Sequence, residues 1–224
     1  MTRFVFIILF SLTFAGCASL QNHAKYQLVD GRYNIKWQDK KYKTYIQNVS
    51  DSIIIHQPDL NIHNSIPLYT QESQPVVGKI SKPSVDIDIM TSVFKIRPHS
   101  ANMPVQMNSN LNGNLYLGLR NDIYSIKYKS NPIYKYQRVL NHIGFGGGIF
   151  VGLGNTAINA STAPKQALEY DGVVFQKGIA GLFAINKLTV GLSVGNDRLL
   201  DKNQLEWEYH NKVWYGLMLG LNLN

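Results

Sequence analysis

From Ser84 onward, hydrophobic positions recur at every second residue. In the last stretch Val213, Tyr215, Leu217, Leu219, Leu221 and Leu223 alternate with Trp214, Gly216, Met218, Gly220, Asn222 and Asn224. A strand points successive side chains to opposite faces, so this spacing predicts one apolar face and one mostly small or polar face. At helical period the same leucines scatter around the axis. The alternation repeats with Leu111, Leu115, Leu117 and Leu119, with Ile143, Phe145, Ile149, Val151 and Leu153, and with Leu188, Val190, Leu192 and Val194. Weaker strands cover residues 85–97, 123–129 and 173–186, and a short aromatic piece at 206–209 offers one more. The expectation is an all-β chain whose residues 84–224 form an antiparallel, barrel-like domain of seven or eight strands.

The second face decides how such a domain is solvated. A soluble sandwich carries Lys, Glu and Thr outside. Here the partners of the apolar residues are Gly, Asn, Ser and Ala, with charges gathered near strand ends. Small residues suit the crowded lumen of a narrow barrel, and an apolar outer face suits a bilayer crossed by strands of about 9–11 residues. A soluble barrel or sandwich is the competing expectation. Gly148-x-x-x-Gly152, Gly191-x-x-x-Gly195 and Gly216-x-x-x-Gly220 match a helix-dimer pattern, but each lies in an apolar run too short to span as a helix.

Upstream the character differs. Short strand-like runs at 31–37, 42–47 and 52–56, separated by Asp30-Gly31 and by 48–51, predict a small polar β unit over residues 17–57. Pro58, Pro67, Pro75 and Pro83 mark residues 58–83 as a Pro-rich linker.

Residues 1–16 read as a lipoprotein signal peptide. Arg3 is the charged start, the apolar run from Phe4 to Leu12 is too short to span a bilayer, and Phe14-Ala15-Gly16 leads into Cys17. Cys17 is the only cysteine, so an internal disulfide is impossible. The lipobox pattern implies cleavage before Cys17 and its acylation. Ala18-Ser19 lacks the Asp of an inner-membrane retention signal, and no acidic run follows. Anchoring in the outer membrane, with the N-terminal unit periplasmic, is the expected address. The chain is basic, with 22 Lys and Arg against 14 Asp and Glu. An exported protein rarely meets nucleic acid, so anionic lipid headgroups are the expected partner, alongside a small apolar ligand.

Motifs for chemistry are weak. Gly191-Leu192-Ser193-Val194-Gly195 fits a nucleophile elbow, but that needs a strand, a sharp turn and a helix. Gly152-Leu153-Gly154-Asn155-Thr156-Ala157 fits a dinucleotide fingerprint without the helix it requires. Asp86 with Asp88, and Glu206 with Glu208, could hold a cation or act as acid and base; lumenal pairing with Arg120 or a Lys is the simpler expectation. The six histidines show no metal-ligand spacing. His142 and Ser193 could form a hydrolytic pair on a barrel wall. Lys127, Tyr128, Lys129, Tyr134, Lys135, Tyr136 and Arg138, around Asn131-Pro132, suit a girdle of aromatics and snorkelling lysines better than a nucleic-acid platform. Trp207, Tyr209, Trp214 and Tyr215 suit a second stretch of that girdle.

The lipobox, the strand Asn112-Gly113-Asn114-Leu115 and the tail from Trp214-Tyr215-Gly216-Leu217 through Gly220-Leu221-Asn222-Leu223-Asn224 resemble outer-membrane β-barrel-like lipoproteins of the Bacteroidota. The tail departs from barrel habit in closing on Asn224 rather than an aromatic residue. The resemblance covers roughly residues 84–224 and implies no activity, catalytic residue, cofactor or metal. The functional expectation is a non-enzymatic, outer-membrane-anchored lipoprotein, structural or binding a small apolar or lipid ligand. A soluble lipocalin-like barrel tethered by its lipid, and a membrane-embedded lipid hydrolase or acyltransferase, are the alternatives.

Overall fold

The computed structural model describes residues 27–221, apart from 38–39, 58–61, 72–78, 101–102, 111 and 166–167. Its strands are β1 (Gly31–Trp37), β2 (Lys40–Val49), β3 (Ser52–Gln57), β4 (Ile62–Pro67), β5 (Tyr69–Thr70) and β6 (Lys79–Arg97). They continue with β7 (Gln106–Asn108), β8 (Asn112–Asn131), β9 (Lys135–Ile158), β10 (Tyr170–Ile185), β11 (Leu188–Leu199) and β12 (Val213–Leu221). Every strand pairing is antiparallel, and no helix occurs among the described residues.

Strands β6, β8, β9, β10, β11 and β12 run as successive neighbours, and β12 then pairs back onto β6. The C-terminal region is therefore an antiparallel, barrel-like ring of six strands, with β7 as a short seventh beside β6. The aromatic piece at 206–209 folds as turns and not as a strand. Where two separate strands were expected at 111–120 and 123–129, β8 is one unbroken strand of 20 residues.

The length of β6, β8 and β9 shapes the molecule. These strands of 19, 20 and 24 residues project beyond one end of the ring. There β1 pairs with the start of β6, and β2, β3 and β4 follow in order. Strand β5 returns to β9 through Tyr69–Gln137 and Thr70–Tyr136. The N-terminal strands thus close over the projecting β8–β9 hairpin. Of the segment read as a linker, residues 62–67, 69–70 and 79–83 lie in strands. Its prolines mislead because they sit where a strand tolerates them: Pro67 at the last residue of β4, and Pro83 on an edge of β6.

Two differently built interiors result. Between the N-terminal strands and the hairpin lies an apolar core of Leu28, Ile35, Ile46, Ile53, Ile55, Ile66, Ile80 and Ile126, with Tyr33 and Tyr124 in edge-to-face contact. The ring interior holds Met90, Tyr116, Phe150, Leu182, Trp214 and Met218 at mid-height, flanked along the axis by charged groups. A third cluster closes the far end of the ring. Here Trp207 and Tyr209 from the 200–212 loop pack with Ile158, Val174 and Leu199.

Glycines make room for the large lumenal side chains. A Cβ on Gly195 would stand 2.8 Å from the Trp214 ring and 2.9 Å from Phe150. A Cβ on Gly144 would stand 2.7 Å from Arg120 and Asp122. The small-residue face read from the sequence therefore faces the lumen, and the alternating apolar face lies outside.

Candidate functional site: an inverted ring with two charged networks

The outer face of the ring is mostly apolar, with Lys177 of β10, opposite Val151, as a charged residue on it. Val85, Ile87, Ile89, Leu115, Leu117, Leu119, Ile143, Phe145, Ile149, Val151, Leu153, Ile179, Phe183, Ile185, Leu188 and Leu192 are all exposed, Ile89 at 81% and Leu192 at 73%. Facing inward on the same strands are Asp86, Asp88, Lys95, Arg97, Asn112, Asn114, Arg120, Asp122, His142, Gln176 and Asp197, all buried.

The network at the loop end centres on Asp197 of β11. Its carboxylate accepts from Lys95 Nζ at 2.9 and 3.1 Å, from an Arg97 Nη at 2.8 Å and from Trp214 Nε1 at 2.8 Å. Lys95 also lies over the Trp214 ring at 4.7 Å, and Arg97 over Trp207 and Tyr209 at 5.2 and 4.9 Å. Two buried cations thus share one carboxylate and three aromatic faces, which offsets the cost of drying them.

The second network lies at the end nearer the N-terminal strands. Arg120 Nε donates to Asp122 at 2.8 Å, and Arg120 Nη1 lies 3.7 Å from Asp86. His142 Nε2 meets the same Asp122 oxygen at 2.7 Å. Three carboxylates, Asp86, Asp88 and Asp122, share this end with one guanidinium and one imidazole. The ring is therefore polarised along its axis, cation-rich at the loops and carboxylate-rich toward the N-terminal unit.

Of the expected pairing of these carboxylates with Arg120 or a Lys, Asp86 meets Arg120, and Asp86 and Asp88 are both lumenal. Glu206 and Glu208 share no strand face: both lie in turns, and Glu208 bonds Lys212 and Ser100. Ser193 lies mid-strand and donates to the Gly216 carbonyl at 3.1 Å, with no elbow. It pairs with Ala180, which pairs with Gly148, six residues along β9 from His142. The hydrolytic pair is thus not assembled. Gly152–Ala157 continues as strand β9 with no helix after it. No group of three or more His, Cys, Asp or Glu able to hold a metal occurs among the described residues.

The second girdle needs correction. Trp207 and Tyr209 are each 2% exposed and Trp214 is fully buried, so only Tyr215 of that set faces outward. Their rings are drawn inward by Lys95 and Arg97. Around Asn131, Tyr128 donates to the Pro67 carbonyl, Arg138 to the Ile66 carbonyl, and Tyr134 stacks on Tyr69 at 4.1 Å. These side chains bind the N-terminal strands to the hairpin. Cys17, the expected acylation site, and residues 1–16 lie outside the described residues.

Lys95, Arg97 and Asp197 escaped the sequence reading. Residues 86, 88, 90 and 92 of β6 face inward, and strict alternation would turn 95 and 97 outward. A register shift against β12, where Leu217 faces Phe94 and Met218 faces Ser92, inserts Val93 as an extra residue. The bulge reverses the faces and brings both cations inside. Asp197, in phase with Gly195 and Ser193, was accessible from alternation alone.

No family model, curated protein or solved structure matches this chain.

Proposed function

We propose that this chain is an outer-membrane lipoprotein whose six-stranded ring sits in the bilayer, with Cys17 as its acylated anchor. Its role is structural or the binding of a lipid, and it is not an enzyme. The observation that carries this reading is the inversion of polarity. The ring turns isoleucines and leucines outward and ion pairs inward, the arrangement a bilayer rewards and water penalises. On β9 the outward apolar residues run from Ile143 to Leu153, eleven positions, matching a tilted membrane strand.

Several further features support it. The outward face changes to Lys127 and Lys129 on β8 and to Lys79 on β6 where those strands leave the ring. At that same level the interior changes from charged to apolar. A lipocalin-like barrel needs an open apolar lumen, whereas here Trp214, Tyr116, Phe150, Lys95 and Met218 fill it. The resemblance to Bacteroidota barrel-like lipoproteins and the lipobox point to the same compartment, with the N-terminal unit on the periplasmic side.

Site-directed fluorescence tests the reading. In a Cys17→Ala background, a polarity-sensitive dye goes on Leu119→Cys, Ile149→Cys or Lys127→Cys, and the protein is reconstituted in vesicles containing brominated lipid. Dyes at 119 and 149 are expected to emit blue-shifted and to be quenched by the bromines, while the dye at 127 emits as in water. Water-like emission at all three positions overturns the bilayer reading.

A further inference from the structure

Among the described residues, the edge of β6 between the ring and the N-terminal sheet is unpaired. Strand β1 pairs with β6 only at Lys79, Ile80 and Ser81, and β12 takes the same edge only from Met90 onward. Among the described residues no strand pairs with that edge between Lys82 and Ile89, and Pro83, which has no N–H to leave bare, sits on it. Where β1 and β6 part they leave a wedge-shaped cleft of about 530 Å³. Arg32, Lys43 and Lys82 line it, with Tyr33, Tyr45 and Pro83 as its apolar walls.

We propose that this cleft seats the phosphate of an anionic phospholipid, a proposal that rests on the bilayer reading of the ring. Arg32 and Lys43 line the cleft from the outer face of β1 and β2 and Lys82 lines it from the Tyr33 side, and no carboxylate among the described residues forms an ion pair with any of them. Asp30, the acid just before β1, is engaged by the Asn48 amide at 2.7 Å. Lys82 rests over the Tyr33 ring at 5.2 Å, a contact that leaves its N–H bonds free for an anion. Tyr45, 42% exposed, offers a flat amphipathic wall beside Arg32, its partner across the β1–β2 register.

Position selects lipid over free phosphate. Val85, the first outward apolar residue of β6, follows Pro83 by two residues, about 7 Å along a strand. The cations therefore stand at the margin of the apolar belt, where headgroups lie. Cys17 precedes Gln27 by ten residues, a tether of at most about 35 Å.

The test uses the full chain in nanodiscs of phosphatidylcholine containing a minor fraction of phosphatidylglycerol. Lipid retained after transfer to detergent is counted by native mass spectrometry, and insertion is scored separately by heat-modifiable migration. The wild-type chain is expected to enrich phosphatidylglycerol about tenfold over the bulk ratio. Arg32→Gln/Lys43→Gln/Lys82→Gln is expected to lose that enrichment while still inserting. The single exposed change Lys43→Gln, which leaves the cores intact, is expected to weaken it, and Lys127→Gln/Lys129→Gln to leave it unchanged. A wild-type chain that inserts but retains lipid at the bulk ratio overturns the site. So does a Lys43→Gln protein as selective as wild type. Displacement by millimolar inorganic phosphate overturns the lipid as occupant. A wild-type chain that never inserts overturns the bilayer reading itself, and this proposal with it.

Discussion

Strand β8 passes through two regions that invert one another. In the ring its inward residues include Asn112, Asn114, Tyr116, Arg120 and Asp122, and its outward residues Leu115, Leu117 and Leu119. Two residues beyond Asp122 the inward positions become Tyr124 and Ile126, and the outward ones soon become Lys127 and Lys129. Strand β6 makes the same exchange between Ile80 and Asp86. Backbone pairing is continuous across the change, so it is not a boundary between two separately folded pieces. On the proposed bilayer reading, what differs is the solvent each face is built for. The N-terminal region buries isoleucine as a water-soluble sheet does, and the ring buries charge, as that reading requires of a chain surrounded by hydrocarbon.

The sharpest way to break this contrast is to disable the ring's interior. Asp197→Asn leaves Lys95 and Arg97 buried without a counter-charge, and removing one partner of a buried ion pair costs about 3–5 kcal/mol. We expect loss of heat-modifiable migration on a gel. Ile46→Ala strikes the other region. Ile46 is fully buried, and truncation of such a side chain costs about 2–5 kcal/mol. Here the expected outcome is proteolysis confined to the N-terminal strands, with the ring still protected.

A substitution on the outer face separates the two solvents directly. Leu119 is 72% exposed, so Leu119→Arg costs almost nothing in water but about 2–4 kcal/mol near a bilayer midplane. Denaturant titration in vesicles checks it. Smaller still is Gly195→Ala, whose methyl meets Trp214 and Phe150 and costs about 1–3 kcal/mol by overpacking, read in the same titration. The pH response of the loop end is the weakest effect. Bonds from Lys212 and Ser100 hold the Glu208 carboxyl below its ordinary value of 4.5. A depressed carboxylate contributes stability that is fully present above the ordinary value and is lost as pH falls through the folded one. Loop protection in hydrogen exchange is expected to decline only below about pH 4.5, and Glu208→Gln to remove that decline.

Alternation made the ring legible, because a period of two is a backbone property that needs no knowledge of neighbours. It placed Asp86, Asp88, Arg120, the lumenal glycines and the outward leucines on their correct faces. It failed at Lys95 and Arg97, since a bulge at Val93 is set by pairing with β12, more than a hundred residues away. It failed for Trp207 and Tyr209 because turns carry no period, and an aromatic beside charges reads equally as girdle or as cation–π partner. The prolines hid β4 and β5 for a related reason. An edge position excuses a missing N–H, and edges are known only once the sheet is assembled. Nothing in the spacing of Arg32, Lys43 and Lys82 signals a cleft, which exists only where β1 parts from β6.

Extraction of the Cys17→Ala protein with alkaline carbonate bears most directly on the inversion of the ring. That substitution removes the proposed acyl anchor and changes no residue of any described strand. A ring embedded by its own outer face keeps the protein in the membrane pellet at pH 11, as the wild-type chain does. Recovery of the folded Cys17→Ala protein in the soluble fraction would contradict the account, because the anchor would then be all that held the protein to the membrane.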